Sequence, residues 1–312
     1  MINFRYHIVS LMAVFLALAV GIAAGVRLTP SVNAGIITQA QDDRAQVTQL
    51  RTEMDRRARL DVYRDTYVQR SGQVVLSGEM TDSKVALVVM PDAPGAVVTA
   101  ISDAVTQAGG RVVSQVKVNE EVFDPRQATR VDQAVAELTP VGITDAMTPA
   151  TKVGWCIAAA IAAKSPTARE AEAKTAGRTL AAAGLVDVRE DVDDTAQLVV
   201  VVTQPTVVPV PDPAVTAAHV QLEVGIRDQG GSDDHIPVVV AGPNSDGLDG
   251  TDVGAIRTTS PVSSELSTVD VADLPSGVVT TVLAGKEQVL GRQGHYGALA
   301  RADDALPVLP VR

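Results

Sequence analysis

Few side chains in this 312-residue chain have chemical reach, and they are scattered. Histidine occurs at His7, His219, His235 and His295, and cysteine only at Cys156. "GSDDH" (231–235) sets two acids beside His235, and "PNSDGLDGTD" (243–252) adds three more. Carboxylates around an imidazole can bind a divalent cation, but the spacing fits no calcium-loop register and polar loops of an acidic domain read the same way, so no metal is assigned. Asp270 closes "LSTVD" (266–270), at the carboxyl end of a strand, where α/β sheets often place ligands. The competing expectation is that its carboxylate caps the turn or helix of the following "VADLPSG". No nucleophile and base can be paired from these residues, and H-E-x-x-H and G-x-S-x-G are absent. Nor does G-x-G-x-x-G follow the first strand, whose exit reads "MPDAPGAV", and G-x-x-x-x-G-K-[ST] occurs nowhere. Without those glycines the backbone cannot wrap phosphates, so no nucleotide cofactor is expected. The reading is of a non-enzymatic protein with no cofactor.

The elements around these residues alternate. "KVALVVMP" (84–91), "RVVSQVKV" (111–118), "AQLVVVVTQP" (196–205), "IPVVVAGP" (236–243) and "LSTVD" (266–270) are Val-rich runs bounded by Gly, Pro or Asp. Several are apolar throughout, as when both faces of a parallel sheet are covered. Helices are expected near 95–108, 126–138, 150–164, 168–183, 213–228 and 277–290. This order predicts an α/β fold, a three-layer head with a mainly parallel sheet over residues 80–312.

Ahead of the head lie a seven-residue tail, an anchor and a stem. Ile8 to Val26 is a run of 19 residues without charge, about 28 Å as a helix and enough to span a bilayer. A cleavable signal has a shorter apolar core, so although "VNA" (32–34) resembles a cleavage site, the run is expected to remain as an anchor in the lipid bilayer. Ala13, Ala17, Gly21 and Gly25 recur every fourth residue, on one side of the helix, where two backbones can approach in lipid. A homodimer is the expectation. Thr29 and Pro30 signal a new helix or a continuation, and residues 30–72 carry an apolar seam through Ala40, Val47, Leu50 and Met54, broken by Asp43 and Arg57. Alone it would be a weak coiled coil; two anchored copies would hold it together.

Charge divides the same way. Residues 1–72 hold nine Arg and six acids, leaving 17 basic and 31 acidic residues for 73–312. An acidic head is a poor partner for a phosphate backbone, so no nucleic acid is expected. One cysteine forms no intrachain disulfide.

"RYHIVSLMAVFLALAVGIAAG" at the start, with "STVDVADLPSG" and "GRQGHYGALARADDALP" near the end, resembles the MctB-like proteins of mycobacteria and corynebacteria. The residues in the matching motifs are Ser267, Thr268, Asp270, Gly294, His295, Tyr296 and Gly297; Val271 departs from the Asn found in many relatives. The resemblance implies an actinobacterial envelope protein with its head outside the cytoplasm and a copper-efflux role. A second, SteB-like branch implies a cell-separation factor working with a SteA-like membrane partner on peptidoglycan hydrolysis. An outer-membrane barrel needs alternating strands and aromatic girdles, which a chain with 3% aromatics does not offer. Copper(I) favours Cys and Met clusters, and none is visible. The expectation is therefore a dimeric scaffold for a SteA-like partner or a peptidoglycan hydrolase, with copper homeostasis as the alternative and a small-ligand or enzymatic use of Asp270 as a third.

Overall fold

The computed structural model describes residues 4–138, 142–162, 170–189, 195–229 and 235–308, with the side chains of 26–42 and 170–174 left aside. The chain divides into Met1–Arg64 and Asp65–Arg312.

The first unit is helical. Helix α1 (Phe4–Leu76) is continuous through Pro30, so of the two outcomes open at Thr29–Pro30 the chain takes continuation. Its Tyr6–Gly25 stretch has a mean hydropathy of 2.5 and no buried part, and is long and apolar enough to cross a membrane. Further along, Arg57 Nη2 lies 2.7 Å from Glu53 Oε1, an i,i+4 pair. Both side chains face solvent, so the pair contributes only about 0.3–0.5 kcal/mol.

In the second unit a seven-stranded sheet is built from β1 (Lys84–Val89), β2 (Arg111–Val118), β3 (Val186–Arg189), β4 (Leu198–Val202), β5 (Val238–Ala241), β6 (Ser267–Val269) and β7 (His295–Tyr296). The order is β3-β2-β1-β4-β5-β6-β7. All neighbours are parallel except β2 and β3. The sheet starts at β1, grows outward to β2, then reverses and grows through β4 to β7, the doubly wound plan. Alternate residues of the Val runs enter two different cores. Ala86, Val88, Val199, Val201, Val238 and Val240 face one, and Val85, Leu87, Leu198, Val200, Val239 and Ala241 the other. Both faces are apolar because both are covered, and the runs cannot alternate in polarity.

The helices make the outer layers. Those named next are α2 (Gly95–Gln107), α3 (Ala128–Glu137), α4 (Pro149–Ile161), α5 (Glu170–Ala182), α6 (Pro213–Asp228), α7 (Asp252–Thr258) and α8 (Pro275–Val289). Helices α3 to α7 cover the first face. Helices α2 and α8, with Leu76 at the end of α1 and Met80 in the turn after it, cover the second. Thr148 and Asp212 cap α4 and α6, each followed by Pro at the first helical position, so local sequence sets both starts. Those two helices touch backbone to backbone. A Cβ on Gly154 would stand 2.0 Å from Leu222 O, and one on Gly225 2.2 Å from Thr151 O.

Candidate functional site

The motif residues converge. Strands β6 and β7 pair in register Thr268↔His295 and Val269↔Tyr296, so "STVD" and "GHYG" lie side by side. What joins them is Arg257 on α7, which sequence reading did not single out. Its Nη1 donates to Asp270 Oδ2 at 2.7 Å, its Nε to Thr268 Oγ1 at 2.9 Å, and its Nη2 to the Tyr296 carbonyl at 2.8 Å. Both side chains of the Arg257–Asp270 pair are fully buried.

Asp270 is saturated by protein donors. Ala298 N–H donates to Oδ1 at 2.9 Å and Leu299 N–H to Oδ2 at 3.2 Å, in addition to the guanidinium. The carboxylate therefore caps the turn after Tyr296, not the "VADLPSG" segment of the competing expectation; α8 begins at Leu274 with no side-chain cap. Gly297 has φ +137°, and a Cβ there would lie 2.1 Å from Asp270 Oδ1, so this position admits only glycine.

Thr268 Oγ1 accepts from Arg257 and lies 2.9 Å from His295 Nδ1. The ring donates to the Ser263 backbone, which places its proton on Nε2 and leaves Nδ1 to accept from the Thr268 hydroxyl. Burial and then the Arg257 charge push the His295 pKa down, which favours the neutral ring. Around this centre, Ser267 Oγ accepts from Gln288 Nε2 at 3.0 Å and from Gly294 N at 3.2 Å. The Tyr296 hydroxyl donates to Glu287 Oε2, and burial is the main cause raising its pKa. Chemically the arrangement is a clamp. It ties α7, β6, β7 and the following turn into one polar knot whose donors and acceptors are spent on each other. Val271, where an Asn was expected, is buried.

The other sequence candidates lie elsewhere. Gly21 and Gly25 would meet nothing within 4 Å of an added Cβ, and the small-residue ladder from Ala13 and Ala17 onward is exposed along α1. Of the seam, Val47, Leu50 and Met54 are exposed; the side chain of Ala40 lies outside the described residues. Residues 231–234 of "GSDDH" also lie outside them, while His235 Nδ1 is 3.7 Å from Asp228 Oδ1. Among the described residues no three His, Cys, Asp or Glu side chains are spaced to share a metal ion. His219 instead bonds Asp252, Nδ1 to Oδ1 3.0 Å, with the fully buried Glu223 one turn further along α6. Two cavities flank the head's helices. One, about 750 Å³, is lined by α6, α7 and residues 210–213. The other, about 450 Å³, lies among the end of α1, α2 and α8.

The sequence profile of the family described as "Copper transport outer membrane protein, MctB" matches residues 1–307, from the apolar N-terminal segment through the β7 turn. The chain belongs to the MctB family. Relatives called "Copper transporter MctB" in Mycobacterium bovis and in two strains of Mycobacterium tuberculosis are each 26% identical over 309 residues, covering 95% of this chain and 96% of theirs. In this MctB-family chain the described sulfur-bearing residues are spread over α1 and both cores of the head, with Cys156 and Met90 sharing one core. Cys156 and Met90 are buried in the core of the α4–α6 face, Met80 in that of the opposite face, and Met12 and Met54 are exposed on α1. Burial pushes the Cys156 thiol up to about 12, far from thiolate formation at neutral pH.

Proposed function

We propose that this chain is a single-pass envelope protein with a part in copper homeostasis, anchored through Tyr6–Gly25 with its head outside the cytoplasm. The observation that carries the reading is the family match across anchor and head together, with relatives named as copper transporters over nearly their whole length. In this reading the head acts through its surfaces. Its motif clamp is spent internally, and its buried thiol and thioethers are divided between the two cores, Cys156 with Met90 in one and Met80 in the other. Membrane function then falls to the anchor, which acts as a homodimer along Ala13, Ala17, Gly21 and Gly25 and continues as a coiled-coil seam through Ala40, Val47, Leu50 and Met54. The test is complementation of a strain lacking the gene. Wild type and Cys156→Ser should both restore normal copper accumulation, whereas Gly21→Ile/Gly25→Ile should not. Equal rescue by all three would remove the anchor from the copper role. Stoichiometric copper(I) on the purified wild-type protein, lost in Cys156→Ser, would assign direct carriage instead.

A second reading is favoured by the same dispersion of sulfur: a non-enzymatic scaffold that binds a SteA-like membrane partner or a peptidoglycan hydrolase to control cell separation. Cells lacking the gene would then form chains at constant copper, and the protein would co-purify with a septal partner. Normal septation in such cells would discard this reading and leave the first intact.

A further inference from the structure

Among the described residues of the head, Glu223 is, with Asn244, a side chain buried with both terminal polar atoms unpartnered. It is fully buried on α6, and neither carboxyl oxygen meets a hydrogen-bond donor. One turn earlier, His219 Nδ1 lies 3.0 and 3.3 Å from the two carboxylate oxygens of Asp252, the first residue of α7. The Phe123 ring meets the imidazole edge-on at 4.3 Å between centroids, closing that side with hydrocarbon. An ionised Glu223 would stand without a donor beside a second carboxylate. Desolvation of such an ion costs several kcal/mol even after relaxation, and the like charge adds to it.

Nearby cations do not offset that: on α6 itself Arg227 is bound to Asp228 at 2.6 Å and to Glu265 at 3.0 Å. The elements packed against α6 are chiefly α4, α7 and β5. Their charged side chains are Lys152 on α4 and Asp252 and Arg257 on α7; β5 carries none. Lys152 Nζ is bound to Asp132 at 2.8 Å and Arg257 Nη1 to Asp270 at 2.7 Å. The turns around Phe123 add acids, Glu120, Glu121 and Asp124, and one cation, Arg126, which is bonded to Asp124.

We propose that Glu223, Asp252 and His219 form a proton-operated lock between α6 and α7. With Glu223 carrying a proton the seam is closed; when that proton leaves, water enters and the two helices part. Burial first, and the Asp252 charge second, hold the Glu223 carboxyl well above its ordinary range, consistent with a neutral acid at rest. The same two helices also line the larger cavity, though His219, Glu223 and Asp252 lie behind its wall. Thr216, Val220 and Val224 reach it from α6, and Gly254 and Thr258 from α7, so the protonation state of a buried acid sets the shape of a surface cavity of about 750 Å³.

The sign follows from proton linkage. Between the unfolded carboxyl value near 4.5 and the raised folded value, the folded head holds one proton that the unfolded chain has released. Its stability must fall as pH rises through that window, by up to about tenfold in the unfolding constant per pH unit, and level off above the folded value. His295, whose pKa is lowered, acts in the opposite direction, so the measurement is the difference between wild type and Glu223→Gln. Glutamine has the shape of the protonated acid and cannot ionise.

The experiment uses the full chain in detergent, followed by urea unfolding and backbone amide exchange from pH 4.5 upward. Relative to Glu223→Gln, wild type should lose stability with rising pH, and α6 and α7 should lose exchange protection before α2 and α8. Identical pH profiles for the two proteins would overturn the lock. So would a Glu223→Gln protein less stable than wild type at high pH, with a stoichiometric divalent cation removable from wild type by chelation, because Glu223 would then hold an ion and not a proton. If Glu223→Gln does not fold, infrared spectroscopy of wild type decides: a protonated-carboxyl band at neutral pH that disappears on alkalinisation supports the lock, and its absence refutes it.

Discussion

At the scale of single residues, the family motif acts through the Arg257–Asp270 pair. Replacing Asp270 by Asn would keep the volume but leave the guanidinium buried without its counter-charge. Depending on how the amide turns, it would also set an N–H₂ against the Ala298 or Leu299 amide. Removing one partner of a buried ion pair costs about 3–5 kcal/mol, so Asp270→Asn should shift the urea midpoint of the head by that equivalent, and Arg257→Lys by a similar amount because Lys cannot reproduce the fork of donors. An unchanged midpoint for either variant would mean that the clamp does not hold the fold. The clamp also has a pH signature. The His295 pKa is lowered, so the unfolded chain takes up a proton first as pH falls below about 6.5, and this part of the stability is lost on acidification. In Thr268→Val, which removes the hydroxyl from Nδ1, that acid sensitivity should change, as measured by thermal melts between pH 5 and about pH 7. Sequence reading found Asp270, Thr268 and His295 because they lie in distinctive strings. It missed Arg257 because "AIRTT" carries no pattern, and an arginine acquires a buried partner only through tertiary folding. It likewise separated His219, Glu223 and Asp252, whose meeting depends on how α6 and α7 cross.

At the scale of elements, β1, β4 and β5 were legible because strands buried on both faces favour unbroken apolar runs, and β2 and β6, which carry polar residues, still fall within the Val-containing segments read as strands. What escaped was short or edge-placed. Strand β3, "VDVR", pairs antiparallel at the sheet's rim with two of its four side chains exposed, β7 has two residues, and α7 has seven. None is long enough to show a period. Helix positions near α4 and α6 were legible too, but not their intimacy. That rests on Gly154 and Gly225, where an added methyl would meet backbone oxygen at 2.0 and 2.2 Å and no side chain could yield. Overpacking of this kind costs about 1–3 kcal/mol or more. Gly154→Ala should therefore lower the thermal midpoint clearly, while Gly95→Ala, whose Cβ meets nothing within 4 Å, should leave it unchanged or slightly raised. Equal midpoints would show that α4 and α6 can slide apart freely.

At the scale of the whole molecule, under the proposed function an apolar helix that ends in small residues every fourth position would serve two purposes with one sequence. Bilayer residence needs only hydropathy, which Leu and Val would supply; the ladder Ala13, Ala17, Gly21 and Gly25 adds a flat side on which a second backbone can settle, and association in lipid depends on that packing because lipid tails are as apolar as the side chains. The seam beyond it is thin, with Val47, Leu50 and Met54 all exposed in the single chain, so it can hold only when the anchors already supply a high effective concentration. The two contacts should therefore fail in a fixed order. A cysteine placed at Leu50 gives a clean readout, because the native Cys156 is 1% exposed and does not compete for the crosslinker. Leu50→Cys in membranes should crosslink to a dimer. Adding Gly21→Ile and Gly25→Ile should abolish the crosslink while the melting of the head stays unchanged, since the substitutions lie outside the unit that contains the sheet. Breaking the seam instead, with Val47→Lys and Met54→Lys, should weaken the crosslink and leave detergent-solubilised anchor pairs intact. Should the crosslink survive isoleucine at both glycines, the ladder is packing against lipid alone, and the copies meet through some surface other than the anchor.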